Sequence, residues 1–381
     1  PTHTNFTLNA PGEYLALVQP DGETIEHQYG PEFPRQIGDI SYGIAENGEL
    51  GYFTTPTPGE TNGASNQLGP FIIDVTNITG QPNLETDKEM VITTKVVANA
   101  APIGKVTLFH RFMYGGERST VMKDDGIAPD ETAGDGIYSA SFSLTSIFGT
   151  QVAQGEMIRW RVEAEDDDSN VLTAPLFLET KKSDRYYGTV TEDPRIATSK
   201  LPVLHWFVER LSRAQGTSQE LCSMFYLGEF YDNVGVTIHG QSTRGGAFPM
   251  KSHNFDFNNS HRFRYYDKEV HGEDWIHGTK HGRAKDIDWL TNWADKSKVR
   301  NTMAYEMYRL GGVNCHFTYS IRVELNGDFY SVYDMIEDGD KRWMDRVGLD
   351  PNGALYKMYN RLDSVGGGEK KTQKWVDDTK D

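Results

Sequence analysis

Only two cysteines, Cys222 and Cys315, occur in 381 residues. Two thiols make no disulfide framework; they either pair with each other or stay as buried thiols. No apolar run approaches the length that spans a bilayer, so no transmembrane segment is expected. Basic residues are scarce relative to acidic ones, 38 against 55, for a formal charge of −17. That balance argues against nucleic acid and anionic membrane as partners. The deficit is uneven: residues 1–200 hold 29 acidic and 14 basic side chains, and residues 201–381 hold 26 and 24. An acidic front half joined to a balanced back half reads as separate modules. The sequence also lacks an initiator methionine and a signal peptide. Because it opens directly on β-like sequence, it reads as a fragment of a longer secreted protein.

What is present is enough apolar sequence, 37%, for two or three domains with real cores. Within residues 1–64, Tyr14–Val18 reads as a strand, Gln19-Pro20-Asp21-Gly22 as a turn and Thr24–Glu26 as its return. Asp39–Gly43 and Gly51–Gly59 follow. The pairing of Gly12-Glu13-Tyr14-Leu15-Ala16-Leu17 with Tyr52-Phe53-Thr54-Thr55-Pro56 resembles the later part of a lamin-tail domain. That resemblance implies a partial immunoglobulin-like sandwich with an accessory role. Residues 65–70 read as a linker.

Across 71–181, short strands recur at the spacing of an all-β sandwich: Met90–Val97, Lys105–His110, Ile137–Phe142 and Met157–Ala164. In the last, Ile158, Trp160 and Val162 alternate onto one face. This region looks immunoglobulin- or fibronectin type III-like. Its one chemical feature is Asp124-Asp125-Gly126 through Asp130 to Asp135-Gly136. The carboxylates of Asp124, Asp125, Asp130 and Asp135 are candidates for Ca²⁺. Asp and Gly are also the residues of a tight hairpin, and the structural turn is the preferred reading.

Residues 182–202, mixed in charge with Pro194 and Pro202, read as a crossing to the last module. Leu204, Phe207, Val208 and Leu211 then fall on one face of an expected short helix that starts at Pro202. His205 and Trp206 read as packing residues. Farther on, His261, His271, His277 and His281 raise the question of zinc, but Gly278 spoils a helical ligand pair and no cysteine joins them. Plain loop histidines are preferred.

The stretch with the most chemistry is Val236–Ser252. A strand through Ile238 leads into Gly240-Gln241-Ser242-Thr243-Arg244-Gly245-Gly246, then Pro249-Met250-Lys251 opens the next strand. Backbone N–H groups in such a turn form a concave anion site, and Lys251 would return across its mouth. The bland alternative is a tight hairpin with two solvated cations. Ile287-Asp288-Trp289-Leu290 and Asp295–Asn301 follow, the latter opening a helix with Asp295 or Ser297 as N-cap. Val299, Met303, Met307 and Leu310 form its apolar stripe and Gly311 its stop. Arg300 opposes the helix macrodipole, so it either reaches a carboxylate or a phosphate or is a simple surface arginine. Asn326-Gly327 marks a hairpin between Ile321–Val323 and Phe329–Met335; Glu337 and a helix near Asp340 come next.

This ordered series, over about residues 200–381, closely resembles the spore-coat CotH kinase-like family. The resemblance implies an atypical kinase-like α+β module following the two all-β sandwiches, using ATP and Mg²⁺. By the kinase analogy Arg244 and Lys251 would meet nucleotide phosphates, Glu306 would pair with Lys251 (the alternative being a solvated helix residue), and the backbone near Glu337 would meet adenine. Leu355-Tyr356-Lys357 matches a further family strand. Family members carry catalytic and metal-binding aspartates farther downstream, which nothing after Lys357 resembles, so the module is expected to be truncated and inactive as it stands. The implied function is phosphorylation of an extracellular or cell-surface protein by a secreted, bacterial-type protein. The competing class is a non-catalytic adhesion or scaffolding protein.

Overall fold

The computed structural model describes residues 7–144, 152–178, 183–240, 244–245, 248–265, 282–353 and 355. The chain divides into two compact units: Pro1–Phe71 with Val97–Lys105 and Ala164–Leu172, and Ile72–Val96 with Val106–Glu163 and Thr173–Asp381.

In the first unit, β1 (Leu15–Val18) pairs antiparallel with β2 (Ile25–Tyr29), and β3 (Ser41–Ile44) with β4 (Leu50–Phe53). They form two separate two-stranded ladders. Tyr52 centres the small core: its ring lies 5.0 Å from Tyr42 and 5.9 Å from Phe71, with Phe33, Ile40 and Leu68 also buried.

Strands β5 (Phe71–Asn77), β6 (Glu89–Val97) and β9 (Ile137–Ser143) make one sheet. A second runs β11 (Val171–Ala174), β10 (Met157–Asp166), β7 (Ile103–Phe112), β8 (Arg118–Met122), with β12 (Tyr187–Val190) also on β10. β6 alternates as a strand with one buried face should, with Met90, Ile92, Thr94 and Val96 inside. The start of β10 departs from that rule. Ile158, Trp160 and Val162 are buried as the alternation predicts, but so are Met157 and Arg159 on the other face.

What covers that other face is the second half of the same unit. After a single 3₁₀ turn (Pro194–Ile196), seven strands close a barrel in the order β13 (Val203–Phe207), β14 (Glu220–Tyr226), β15 (Glu229–His239), β16 (Ser252–Asp256), β19 (Asp286–Thr291), β21 (Asp328–Glu337), β20 (Thr318–Leu325). The two-residue pieces β17 (Phe263–Arg264) and β18 (Arg283–Ala284) pair beside it. Closure comes from β13 lying parallel to β20, Val203 opposite Arg322 through Trp206 opposite Leu325. Leu204, Trp206, Val234, Val236, Phe255, Ile287, Trp289, Ile321, Val323, Tyr333 and Met335 fill the interior. The short helix α1 (Leu211–Ala214) follows β13; α2 (Arg300–Leu310) and α3 (Lys341–Arg346) lie later.

Two expectations fail here for one physical reason. Val203–Phe207 is a strand, not a helix, and the crossing 182–202 holds a strand whose neighbours are buried. Phe207 packs outward into a second cluster with Met157, Val190, Phe225 and Phe230, while Trp206 packs inward. A strand buried on both faces shows no period of two, and its apolar run mimics a helix face. β12 adds to β10 with Trp160 opposite Tyr187 and Met157 opposite Val190, and Ser183, Tyr186, Thr189, Val190, Thr191 and Asp193 are buried. Gly188 is required there. A Cβ at that position would lie 2.4 Å from the Phe230 ring.

Candidate functional site

Residues 240–251 connect β15, which ends at His239, to β16, which starts at Ser252. Gln241, Ser242, Thr243, Gly246 and Ala247 lie outside the described residues. Lys251 is buried at 7% exposure, and its ammonium donates to the carbonyl oxygens of Gly245 and, at 3.4 Å, Arg244. Among the described residues it meets no carboxylate. An ammonium has three donors, and a buried one without a counter-ion is uncommon. The Arg244 side chain is exposed on the same loop. Arg244 and Lys251, expected together from the sequence, are thus adjacent in space.

Glu306 and Glu337 gather elsewhere. Glu306 is bonded to Arg309 one turn along α2, at 2.5 and 2.9 Å, and forms no ion pair with Lys251. The expected kinase-type pair is replaced by a helical i,i+3 pair. Glu337, at the end of β21, is buried; it accepts the Phe317 N–H at 2.8 Å and a two-pronged contact from Arg346 of α3. Glu306, Arg309, Cys315, His316 and Arg346 line one cavity of about 420 Å³ that Lys251 and Arg244 do not line.

Helix α2 begins at Arg300 with Val299 as its N-cap, two residues beyond the Ser297 cap and four beyond the Asp295 cap read from the sequence. Asp295 accepts the N–H groups of Ser297 and Arg300, both at 3.0 Å, and the Arg300 guanidinium reaches back to it at 3.6 Å. The carboxylate alternative for Arg300 is the one realised. The apolar stripe faces out: Met303, Met307 and Leu310 are 59, 70 and 72% exposed. The barrel beneath is already filled, and the helix is tied down by polar contacts instead. Thr302 Oγ1 donates to Asp334 at 3.1 Å, and Ser320 Oγ to the same oxygen at 3.2 Å. Asp334 is wholly buried in β21, with its second oxygen unpartnered. A carboxylate inside the apolar run Tyr333-Asp334-Met335-Ile336 is its signal in the sequence.

A second ionic group joins strands that the sequence keeps apart. His261 Nδ1 lies 2.5 Å from Asp184, and its Nε2 3.8 Å from Glu229, which also takes Arg283 at 2.7 Å and the Tyr231 hydroxyl at 2.8 Å. Burial pulls His261 down, but hydrogen bonds to Asp184 and Glu229 win and lift it to about 9. Burial pushes Glu229 up, yet bonds from His261, Arg283 and Tyr231 hold it to about 2. His261 is therefore an ion-pair partner; His271, His277 and His281 lie outside the described residues.

On β19, Asp286 faces the reverse situation. Burial, then the nearby carboxylates of Asp256, Asp338 and Asp340, raise it to about 7. The folded state holds this proton more tightly than the unfolded chain, so its contribution is complete below about pH 4 and is lost as pH rises through 7. Stability followed by urea melts should fall between pH 5 and pH 8, with a ceiling of about 4 kcal/mol that solvent access reduces. Asp286→Asn should flatten that dependence and raise stability at pH 8. An unchanged pH profile in the variant would remove Asp286 as its source.

The candidate calcium loop is compact. Oxygens of Asp124, Asp130 and Asp135 lie within 4.8 Å of one another. Asp125 stands apart, bonded to the Ile127 N–H at 3.0 Å and to Lys123 at 3.4 Å. The loop's own N–H groups already engage the three: Gly134, Asp135 and Gly136 donate to Asp124, Gly126 to Asp130 at 2.6 Å, and Ile137 to Asp135 at 2.8 Å. This is the pattern of a self-capped turn. Calcium titration should leave the melting temperature nearly unchanged, whereas Asp130→Ala should cost about 1–3 kcal/mol by orphaning buried donors. A calcium-dependent rise abolished by Asp130→Ala would make the loop a metal site.

Cys222 and Cys315 are both free thiols, the first buried. No helix among the described residues is long and apolar enough to cross a membrane. Comparison with known families places residues 236–381 against the family described as CotH kinase protein. That span begins inside β15 and takes in the loop, Lys251, α2 and the Asn326–Gly327 hairpin. No curated protein matches the chain.

Proposed function

We propose, from the match over residues 236–381, that this chain carries the nucleotide-binding part of a secreted or cell-surface phosphotransferase of the CotH kind, which transfers the γ-phosphoryl of ATP to a protein hydroxyl. In that transfer the bond to ADP breaks, one to the acceptor oxygen forms and the hydroxyl proton leaves; Mg²⁺ offsets the phosphate charge. Lys251 and Arg244 are assigned the phosphate contacts. The observation carrying this assignment is the buried Lys251 ammonium, which among the described residues is bonded only to the Gly245 and Arg244 carbonyls. The residues present fit an anionic group at that point.

The non-catalytic reading, adhesion or scaffolding, draws support from the outward apolar stripe of α2. Calorimetry with ATP and Mg²⁺ separates the two. Saturable binding that depends on Lys251 supports the phosphotransferase. No nucleotide binding at millimolar concentration would favour the surface-ligand reading.

A further inference from the structure

Away from that loop, where the first strands of the second sheet meet the barrel, three arginines crowd one ring. The guanidinium carbons of Arg159, Arg185 and Arg111 lie 5.1, 5.7 and 5.8 Å from the centre of Tyr186. They line a cavity of about 310 Å³, at the lower end of ligand-pocket volumes. Their opposite charges are few and largely taken. Glu117 is bonded to Arg161 at 2.8 Å and to the Tyr186 hydroxyl at 2.7 Å. Asp232 is shared among Arg159 at 3.5 Å, the Ser223 hydroxyl at 2.7 Å and the Tyr186 N–H at 3.1 Å. Among the described residues, neither Arg111 nor Arg185 has an ion pair.

Three donors at this cavity are shut off from water without a partner: Arg111 Nε, Arg159 Nε and the Tyr114 hydroxyl. Arg159 itself is only 6% exposed. Most buried N–H and O–H groups are paired in folded proteins; these three, on residues that line the cavity, have no partner among the described residues. Burial also raises the Asp232 carboxyl, which weakens the counter-charge that Arg159 meets. The remaining carboxylates on the lining are Glu209 and Glu220, the second within 4.0 Å of Arg213. Two acidic groups beside the arginines disfavour a highly charged polyphosphate and suit a compact anion.

We propose that this cavity binds a small oxyanion, a phosphate or a carboxylate group, held by Arg111, Arg159 and Arg185. Guanidinium groups match such oxygens two at a time, which a lysine cannot do. The site is separate from the loop assigned to nucleotide, and its test does not depend on that assignment.

The test is thermal melting of the full chain in sodium phosphate, in sodium succinate and in sodium chloride at matched ionic strength. A ligand that binds the folded state raises the midpoint with its concentration. Either phosphate or succinate should give a rise that chloride does not, the responding salt naming the oxyanion. Arg111→Gln and Arg185→Gln, which break no ion pair, should each reduce that rise, with Kd by calorimetry weakened at least tenfold. Identical midpoints in all three salts would overturn the proposal. So would a rise that survives both substitutions, since the anion would then be bound elsewhere.

Discussion

Replacing Trp206 by alanine is expected to cost about 3–5 kcal/mol of folding stability, the range for deleting a fully buried large aromatic. The side chain has no exposure and sits edge-on to Trp289 at 5.6 Å and Phe255 at 5.8 Å, with His253 at 4.9 Å. Its strand, β13, is bonded to β14 on one side and to β20 on the other, with Trp206 opposite Met224 and Leu325. Truncation would therefore open a void facing several strands at the seam that closes the barrel, where collapse is hindered from every direction. Trp293 is the control: it is 45% exposed, and its alanine variant should cost less than about 1 kcal/mol. Urea melts of the two variants followed by circular dichroism decide it. Equal midpoints would mean that β13 does not belong to the core.

Much of this barrel is legible in the sequence, and its closure is not. The Asn326-Gly327 pair predicts a two-residue hairpin, and both residues take positive φ, 52° and 94°, between β20 and β21. Asp340 is legible as a helix start; its carboxylate accepts the N–H groups of Arg342 and Trp343. Such signals are local, carried by two to four residues. β13 carries no local signal of the right kind, since both its faces are buried and the pattern that distinguishes strand from helix disappears. Its parallel partner β20 lies more than a hundred residues away. Burial of β10 on both faces is invisible for the same reason, because the covering residues, Phe225 and Phe230, belong to the barrel.

The candidate site divides along similar lines. Arg244 and Lys251 lie seven residues apart on one loop, so the chain alone brings them near. Glu306 lies within α2, four described strands (β16 to β19) beyond Lys251, and their expected pairing rests on kinase analogy. A nearer arginine, Arg309, takes Glu306 instead. The stripe of α2 is periodic, but periodicity says which residues share a face and not which way that face turns. Here polar anchors, Thr302 and the buried Asp334, face the barrel and leave Met303 and Met307 outside. The arginines around Tyr186 come from three places in the chain, Arg111 in β7, Arg159 in β10 and Arg185 just before β12, and no spacing rule links them.

Lys251→Met is expected to weaken ATP binding about ten- to a hundredfold. The wild-type ammonium is buried and, among the described residues, held by the Gly245 and Arg244 carbonyls, so a phosphate oxygen placed there would meet a cation poorly screened by water. Removing one charge-assisted hydrogen bond to phosphate costs roughly 1.5–3 kcal/mol, which is that range of affinity. Methionine keeps the length and flexibility of the stem, so its packing can be kept while the charge goes. The backbone of the following strand is untouched, with Ser252 still opposite His239. Arg244→Ala should act in the same direction with a smaller effect, its exposed guanidinium being screened. Calorimetry with ATP and Mg²⁺ on wild type and both variants reads the result, with urea melts confirming that the variants fold. ATP affinity unchanged in both folded variants would detach the loop from the nucleotide and leave the assignment of Lys251 without support.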